Sequence, residues 1–342
     1  MTVVRVKPGI LDRARARVTP TLQRAVARLG EDLRLPVEYH FGWRDTDGRP
    51  CSAGAGKGVR AGLALLSAEA AGAPGDAALP AAAAVELVHA FSLLHDDIVD
   101  DDHQRHHRPT VWSVFGVGVG IIAGDALLAL AEELLLESAR PEGAAAAARL
   151  TDATRAMIAG QAADMAFERR NDVTLDECVA MAQAKTGALL GCAASIGAVL
   201  AGAGPAVTEP LRRFGEELGL AFQATDDLLG IWGDPDRTGK PVWSDLRQGK
   251  KTLPITAALT LGGTTAVELR SLLRAGLCTE GAYSRAAALI EACGGREATA
   301  ELAAGCSDRA HAALDELPAT GDAAVAVSEL RDLTDFLLGR DH

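Results

Sequence analysis

Five aspartates fall within seven positions, at Asp96, Asp97, Asp100, Asp101 and Asp102, one residue after the apolar stretch "VELVHAFSLL" and directly before "HQRHHR". On a helix, Asp96 and Asp100 are four apart and share one face. Carboxylates at the end of such a helix meet the negative pole of its dipole and repel one another. Magnesium is the natural remedy: a hard cation that takes one or two carboxylates, keeps several waters and fills its other positions with phosphate oxygens. From this stretch alone two further readings stand. An acidic run is commonly a solvated face. His95-Asp96, with His89, His103, His106 and His107 close by, would also suit the metal dyad of an all-helical phosphohydrolase.

A second acidic run echoes the first at "FQATDDLLGIWGDPDRTGKPVWSDLRQGKKTLPI". Asp226 and Asp227 end an apolar-faced helix, and Asp234, Lys240, Asp245, Lys250 and Lys251 follow closely. Two aspartate pairs with Mg²⁺ between them would clamp a polyphosphate, with the lysines on oxygens that the metals leave free. No histidine occurs here, which counts against the phosphohydrolase. A third piece is "AGAGKGVRAGLALL", where Lys57 and Arg60 open a helix whose first free N–H groups would face the same anion. It is not a nucleotide loop, because Gly58 follows Lys57 and no strand precedes it. Singly these two cations are ordinary surface residues; their weight comes from the combination.

Helices must position all of this. Nearly every long segment places apolar residues at three-and-four spacing, rich in Ala and Leu, so the chain reads as all-α. Helices are expected over residues 10–29, 56–72, 79–101, 110–137, 143–169, 174–203, 208–231, 251–261, 265–275, 280–294, 298–315 and 321–338, with a long surface loop at about 38–54. Breakers such as "GAPGD", "RPEG" and "GAGP" make short connections, and no linker or repeat divides the chain, so residues 1–342 are expected to form a single domain.

Composition narrows the function. With 342 residues, 48% of them hydrophobic, the chain can bury a large core. A net charge of -12 argues against nucleic acid as partner, so an anionic ligand must meet local cations or metal. The cysteines at 51, 178, 192, 278, 293 and 306 form no C-x-x-C pair, as expected of thiols in a reducing compartment. No secretory h-region is visible, and Glu86, His89 and Asp125 interrupt the most apolar windows, so a cytoplasmic protein with no membrane span is expected.

Taken in order, "GKGVRAGLALL", "ELVHAFSLLHDDIVD", Arg105, "AGDALLALA", "GQAADM", "AKTGALL", "FQATDD", "GDPDRTGK" and "GKKTLP" resemble the trans-isoprenyl diphosphate synthases (polyprenyl synthetases) along almost the whole chain. The resemblance implies the isoprenoid synthase fold, a single bundle of long antiparallel helices around a central cavity, in a homodimer. It implies three Mg²⁺ ions held by Asp96, Asp100 and Asp226, with Asp97 and Asp227 in support. The allylic diphosphate would be gripped by Arg105, Lys185, Lys240 and Lys250, and isopentenyl diphosphate by Lys57, Arg60 and His89. Ionisation of the allylic C–O bond gives a carbocation, the double bond of isopentenyl diphosphate attacks it, and a proton is lost to pyrophosphate. Thr186 and Gln223 would steady the cation through their oxygen dipoles, with water excluded.

Three departures stand out. His106 occupies the place of the family's second arginine, with Arg108 two residues on, and histidine cannot make the bidentate arginine fork. Gly230 stands where the second motif ends in aspartate, so weaker metal binding is expected. Gly58 and Ala61 replace the usual arginine and proline. These leave room for a low-activity partner subunit or a class I terpene cyclase. Retention of Lys57, Arg60, Arg105, Lys185 and Lys240 argues against decay. The nearest cyclase-type metal motif, Asn171-Asp172, has Leu175 and Val179 at its remaining ligand positions. Phe91, five residues before Asp96 and followed by the small Ser92, resembles the cavity floor of synthases making geranylgeranyl diphosphate. Farnesyl and longer products are the alternatives.

Overall fold

Residues Ile10, Ala14, Val18 and Leu22 recur every four positions and are buried along one face of α1 (Gly9–Val26), which is why that segment is helical. The structure, a computed structural model, describes residues 7–53, 56, 58–105, 108–235, 242–318 and 320–339. The described residues are helical almost throughout, as the periodicity predicts. After α1 come α2 (Glu31–His40), α3 (Val59–Ala70), α4 (Leu79–Val99), α5 (Val111–Phe115), α6 (Val117–Leu136), α7 (Gly143–Glu168), α8 (Leu175–Ala182), α9 (Ala188–Leu200) and α10 (Pro205–Trp232). They are followed by α11 (Ser244–Gln248), α12 (Leu253–Leu261), α13 (Gly263–Ala275), α14 (Glu280–Ala292), α15 (Gly295–Asp315) and α16 (Asp322–Leu338).

Several local details differ from the sequence expectation. Helix α2 forms mostly where no element is expected, reaching only the first positions of the expected loop; it is short and carries Pro36, so its periodicity is weak. The expected helix 110–137 breaks at Gly116, whose φ of 95° a side chain would not tolerate, giving α5 and α6. The stretch 174–203 is interrupted by a π turn, Gln183–Gly187, and α11 forms where no helix is expected. A two-stranded ribbon joins β1 (Gln104–Arg105) to β2 (Arg108–Pro109), with Arg105 and Arg108 as register partners.

The chain divides into two compact units. The first comprises Met1–Thr154, Cys192–Arg212 and Leu317–Asp332. Its centre is α4, buried at Ala81–Ala84, Leu87, Val88, Phe91 and Leu94. Helix α6 closes on α4 because it offers glycines there: a Cβ at Gly124 would lie 2.4 Å from the His95 ring, and one at Gly120 would lie 3.0 Å from Ile98. The "AGDALLALA" glycine is thus a packing residue. The second unit comprises Arg155–Gly191, Arg213–Glu316 and Leu333–His342. Its core gathers Ile231, Leu246, Ile255, Leu269 and Ile290 from α10 to α14. A capping box starts α8, Thr174 accepting from Glu177 N and Glu177 from Thr174 N.

Two helical stretches, Gly75–Val99 and Leu175–Leu200, are long and apolar enough by length and composition to cross a membrane. Glu86 and His89 do not disqualify the first, contrary to the sequence expectation. Some 67% of its apolar window is nevertheless buried, as in the core helix of a soluble protein.

Candidate active site

In the first unit the acidic run divides by direction. Asp97 points inward and is only 2% exposed, while Asp96 and Asp100 are half-buried and Asp101 is exposed. Asp100 caps α4, its N–H bonded to Asp96 O at 2.8 Å, and Asp101 turns the chain out of the helix with φ 54°. Arg105 on β1 meets Asp97, Nε to Oδ1 at 2.6 Å. Burial outweighs that partner and pushes the Asp97 carboxyl up to about 6.

The ribbon that carries Arg105 is pinned by Tyr39 of α2. The Tyr39 hydroxyl donates to Pro109 O at 2.8 Å. The Arg108 guanidinium lies 4.3 Å above the Tyr39 ring and donates to Tyr39 O at 3.2 Å. Both arginines therefore face a cavity of ≈ 340 Å³, whose wall also includes Arg15, His40, Gly58, Glu86, His89 and Asp97. Glu86 Oε1 accepts from Ala61 N at 2.9 Å and is the counter-charge of Arg60. Burial draws the Arg60 guanidinium down and the Glu86 carboxyl up, each against the pull of the other. Burial and then Arg60 hold His89 well below its ordinary value, so at neutral pH it is an uncharged hydrogen-bonding group. Lys57 and His106 lie outside the described residues.

The described histidines of this stretch scatter. His95 Nε2 meets Ile121 O at 3.0 Å within the α4–α6 contact, and His103 packs its ring on Trp112 at 4.7 Å. Phe91 is buried and meets the His95 ring edge-on at 4.8 Å, on the face of α4 turned away from the cavity residues His89, Leu93 and Asp97. Ser92 is half-buried, its hydroxyl donating to His89 O at 2.9 Å.

In the second unit the π turn sets out Lys185 and Thr186. It fits because α7 and α10 offer glycines: a Cβ at Gly160 would lie 2.4 Å from Lys185 N, and one at Gly219 would lie 2.5 Å from Gly187 Cα. Lys185 Nζ pairs with Asp164 Oδ2 at 2.6 Å. Thr186 Oγ1 donates to Gln223 Oε1 at 2.8 Å, and Gln223 Nε2 donates to Asp227 Oδ1 at 2.8 Å. Asp227 Oδ2 accepts from Leu253 N at 2.9 Å, which ties the second aspartate motif to the start of α12. Burial and then Asp245 push the Asp227 carboxyl up to about 7. Asp226 is half-buried, Lys250 follows Gly249 at the end of α11, and Lys240 lies outside the described residues. Asp172 of the cyclase-type pair is held by Arg170, Oδ1 to Nε at 2.8 Å, on the surface.

Sequence reasoning misses Asp164, Glu86, Tyr39 and Arg15. Asp164 lies within "GQAADM", and along the chain Glu86 reads only as an interruption of an apolar window. Tyr39 and Arg15 carry no signal.

Among the described residues no three His, Cys, Asp or Glu side chains converge into a ready-made metal cage. The donors at Asp96, Asp100 and Asp226 are carboxylate oxygens, the ligand type a hard cation takes when water and phosphate complete its shell. They fit magnesium and do not suit a soft metal.

The family model for polyprenyl synthetases matches residues 50–290. The chain belongs to the polyprenyl synthetase family. Transfer of prenyl groups is the reaction class of that family. The (2E,6E)-farnesyl diphosphate synthase of Mycobacterium tuberculosis is 45% identical over 340 residues, 97% of this chain and 92% of that one. The polyprenyl synthetase of Streptomyces coelicolor A3(2) is 48% identical with a TM-score of 0.91, over 96% of this chain and 98% of that one. The geranylgeranyl pyrophosphate synthase of Corynebacterium glutamicum, solved with isoprenyl diphosphate and magnesium, is 28% identical with a TM-score of 0.80, over 98% and 99% of the two chains.

Proposed function

We propose that this polyprenyl synthetase joins an allylic diphosphate to isopentenyl diphosphate with Mg²⁺ and makes geranylgeranyl diphosphate, as a cytoplasmic homodimer with one synthetase domain per chain. The observation that carries the reading is the ≈ 340 Å³ cavity in which Arg105 and Arg108 face His89 and Asp97 of the first aspartate motif. Its size lies within the range of about 300–1,000 Å³ usual for small-ligand pockets. Cations concentrated there suit a diphosphate on a protein that is otherwise strongly acidic.

Three magnesium ions would be held by Asp96, Asp100 and Asp226; when bound, magnesium neutralises charge developing on the departing diphosphate. Arg105 and Lys185, oriented by Asp97 and Asp164, bind the allylic diphosphate. Arg108, Arg60 and neutral His89 hold isopentenyl diphosphate. The Thr186 hydroxyl gives its hydrogen to Gln223, so its lone pairs remain available to an allylic cation, while Gln223 is oriented by Asp227.

The single aromatic five residues before Asp96, Phe91, supports the twenty-carbon product by its resemblance to synthases of that length; its ring packs on His95 and not on the ≈ 340 Å³ cavity. For the homodimer, Val117, Ile121 and Ile122 are exposed on α6 and form an apolar stripe that a second copy would cover. For the compartment, the described cysteines are unpaired, and burial pushes the Cys178, Cys192 and Cys306 thiols up to about 12.

The test is to incubate the protein and Mg²⁺ with isopentenyl diphosphate and five-, ten- or fifteen-carbon primers and to size the dephosphorylated alcohols. A dominant twenty-carbon alcohol is expected, lengthening in Phe91→Ala and absent in Asp96→Ala and Asp226→Ala. A dominant fifteen-carbon or very long alcohol would reject the product length alone. No elongation with any primer would reject the synthase reading, and cyclic hydrocarbons from linear diphosphates would establish the cyclase instead.

A further inference from the structure

Gly230 lies one turn beyond Asp226 on α10, is buried, and replaces the aspartate that closes the second motif in the family pattern. Its missing side chain has not left a void. A Cβ built on Gly230 would lie 2.1 Å from Asp245 Oδ2, 2.4 Å from its Cγ and 2.6 Å from Oδ1. The carboxylate of Asp245 therefore occupies the space that a side chain at 230 would enter.

That placement is built. Asp245 belongs to α11, a helix of five residues, and is only 9% exposed. Leu246 anchors α11 in the core cluster with Ile231 and Ile255. The Ser244 hydroxyl lies 3.2 Å from both Gly230 O and Asp245 Oδ1 and can give its one hydrogen to either acceptor, which sets the start of α11 against the α10 backbone. Trp243, just before, takes a left-handed conformation with φ 60°, which turns α11 back onto α10. A carboxylate taken from one element has been replaced by one from another, at the same turn of α10.

We infer that Asp245 is a positioning residue that stands in for the motif's absent last aspartate, orienting water around the magnesium held by Asp226. The inference rests on the synthase reading above. Outer-shell carboxylates of this kind are worth about 10–100-fold in metal affinity. It also explains why position 230 is glycine: any Cβ there would force the Asp245 carboxylate to move.

The test measures the thermal stabilisation that Mg²⁺ with inorganic pyrophosphate gives the full chain, as a function of Mg²⁺ concentration. Asp245→Asn keeps shape and loses charge; it is expected to raise the half-maximal Mg²⁺ concentration about tenfold, with metal-free unfolding close to that of the parent. Gly230→Asp alone is expected to weaken magnesium binding by displacing Asp245. Gly230→Asp with Asp245→Ala is expected to bring the midpoint back toward the parent, since the carboxylate returns from its original side. A parental midpoint in Asp245→Asn would overturn the inference, as would a double variant weaker than Asp245→Ala. If the parent itself shows no magnesium-dependent stabilisation by pyrophosphate, the synthase reading fails first, and the inference with it.

Discussion

Replacing Glu86 by alanine should destabilise the protein more than any other single change in the cavity wall. Two groups depend on this carboxylate. The Ala61 N–H, at the start of α3, donates to it at 2.9 Å. Leaving such a donor unsatisfied costs about 1–3 kcal/mol. The Arg60 guanidinium has Glu86 as its counter-charge, and its Nε is buried with no hydrogen-bond partner. Removing one member of a fully buried ion pair costs about 3–5 kcal/mol; here the two charges act on each other without a recorded direct contact and beside a cavity that water can enter, so about 1–2 kcal/mol is the better figure. Together the loss is about 3 kcal/mol for Glu86→Ala. Glutamine keeps the acceptor for Ala61 and removes only the charge, so Glu86→Gln should lose about 1–2 kcal/mol. At about 2.1 cal/mol/K of unfolding entropy per residue, a loss of about 3 kcal/mol lowers Tm by about 4 °C in a chain of 342 residues. Urea unfolding monitored by helical circular dichroism, without diphosphate, measures both variants. An alanine variant within about 1 kcal/mol of the parent, or a glutamine variant as unstable as the alanine one, would refute the reasoning.

Two further expectations follow from the same geometry. Asp97 and Asp227 have folded-state values raised to about 6 and about 7 from 3.8, so the folded protein binds their protons more tightly than the unfolded chain. Their contribution is fully present below pH 4 and is lost as pH rises through 6 and 7, which predicts a fall of order 2–4 kcal/mol in metal-free stability from pH 5 to pH 8. Urea midpoints in chelator across that range check it, and a flat or rising profile would contradict the burial argument. Arg108→Met should raise KM for isopentenyl diphosphate by about tenfold or more, the worth of a charge-assisted hydrogen bond, whereas His106→Ala should change it by less than about threefold. Steady-state kinetics at saturating allylic primer decide between them, and the reverse ranking would assign the second arginine's role to His106.

The helical class, the two aspartate motifs and the family could all be read along the chain, because each depends on residue type at short spacing. Periodicity locates α4, α7 and α10, which carry Asp96, Asp164 and Asp226. The same logic fails where tertiary contacts override local preference. Gly116 divides one apolar run into α5 and α6, and α2 forms despite Pro36. The π turn at Lys185 exists because Gly160 and Gly219 let neighbouring backbones come within side-chain distance, a reason invisible in "AKTG" itself.

The site shows the same division. Residue type and spacing selected Asp96 and Asp226, since carboxylates that crowd one another have few uses other than holding metal, and the family resemblance added Arg105 and Lys185. Which of two neighbouring aspartates faces inward depends on packing: Asp97 is buried against Arg105, while Asp96 is half-buried. The choice of Arg108 for the cavity wall required Tyr39, which lies 69 residues earlier and reaches the ribbon only in the fold. The partner of Gly230 could be found in no other way, because Asp245 lies fifteen residues on and is returned to the motif by the turn at Trp243. Sequence spacing determined the chemistry of this protein, and tertiary structure decided which side chains of the right type are held where that chemistry needs them.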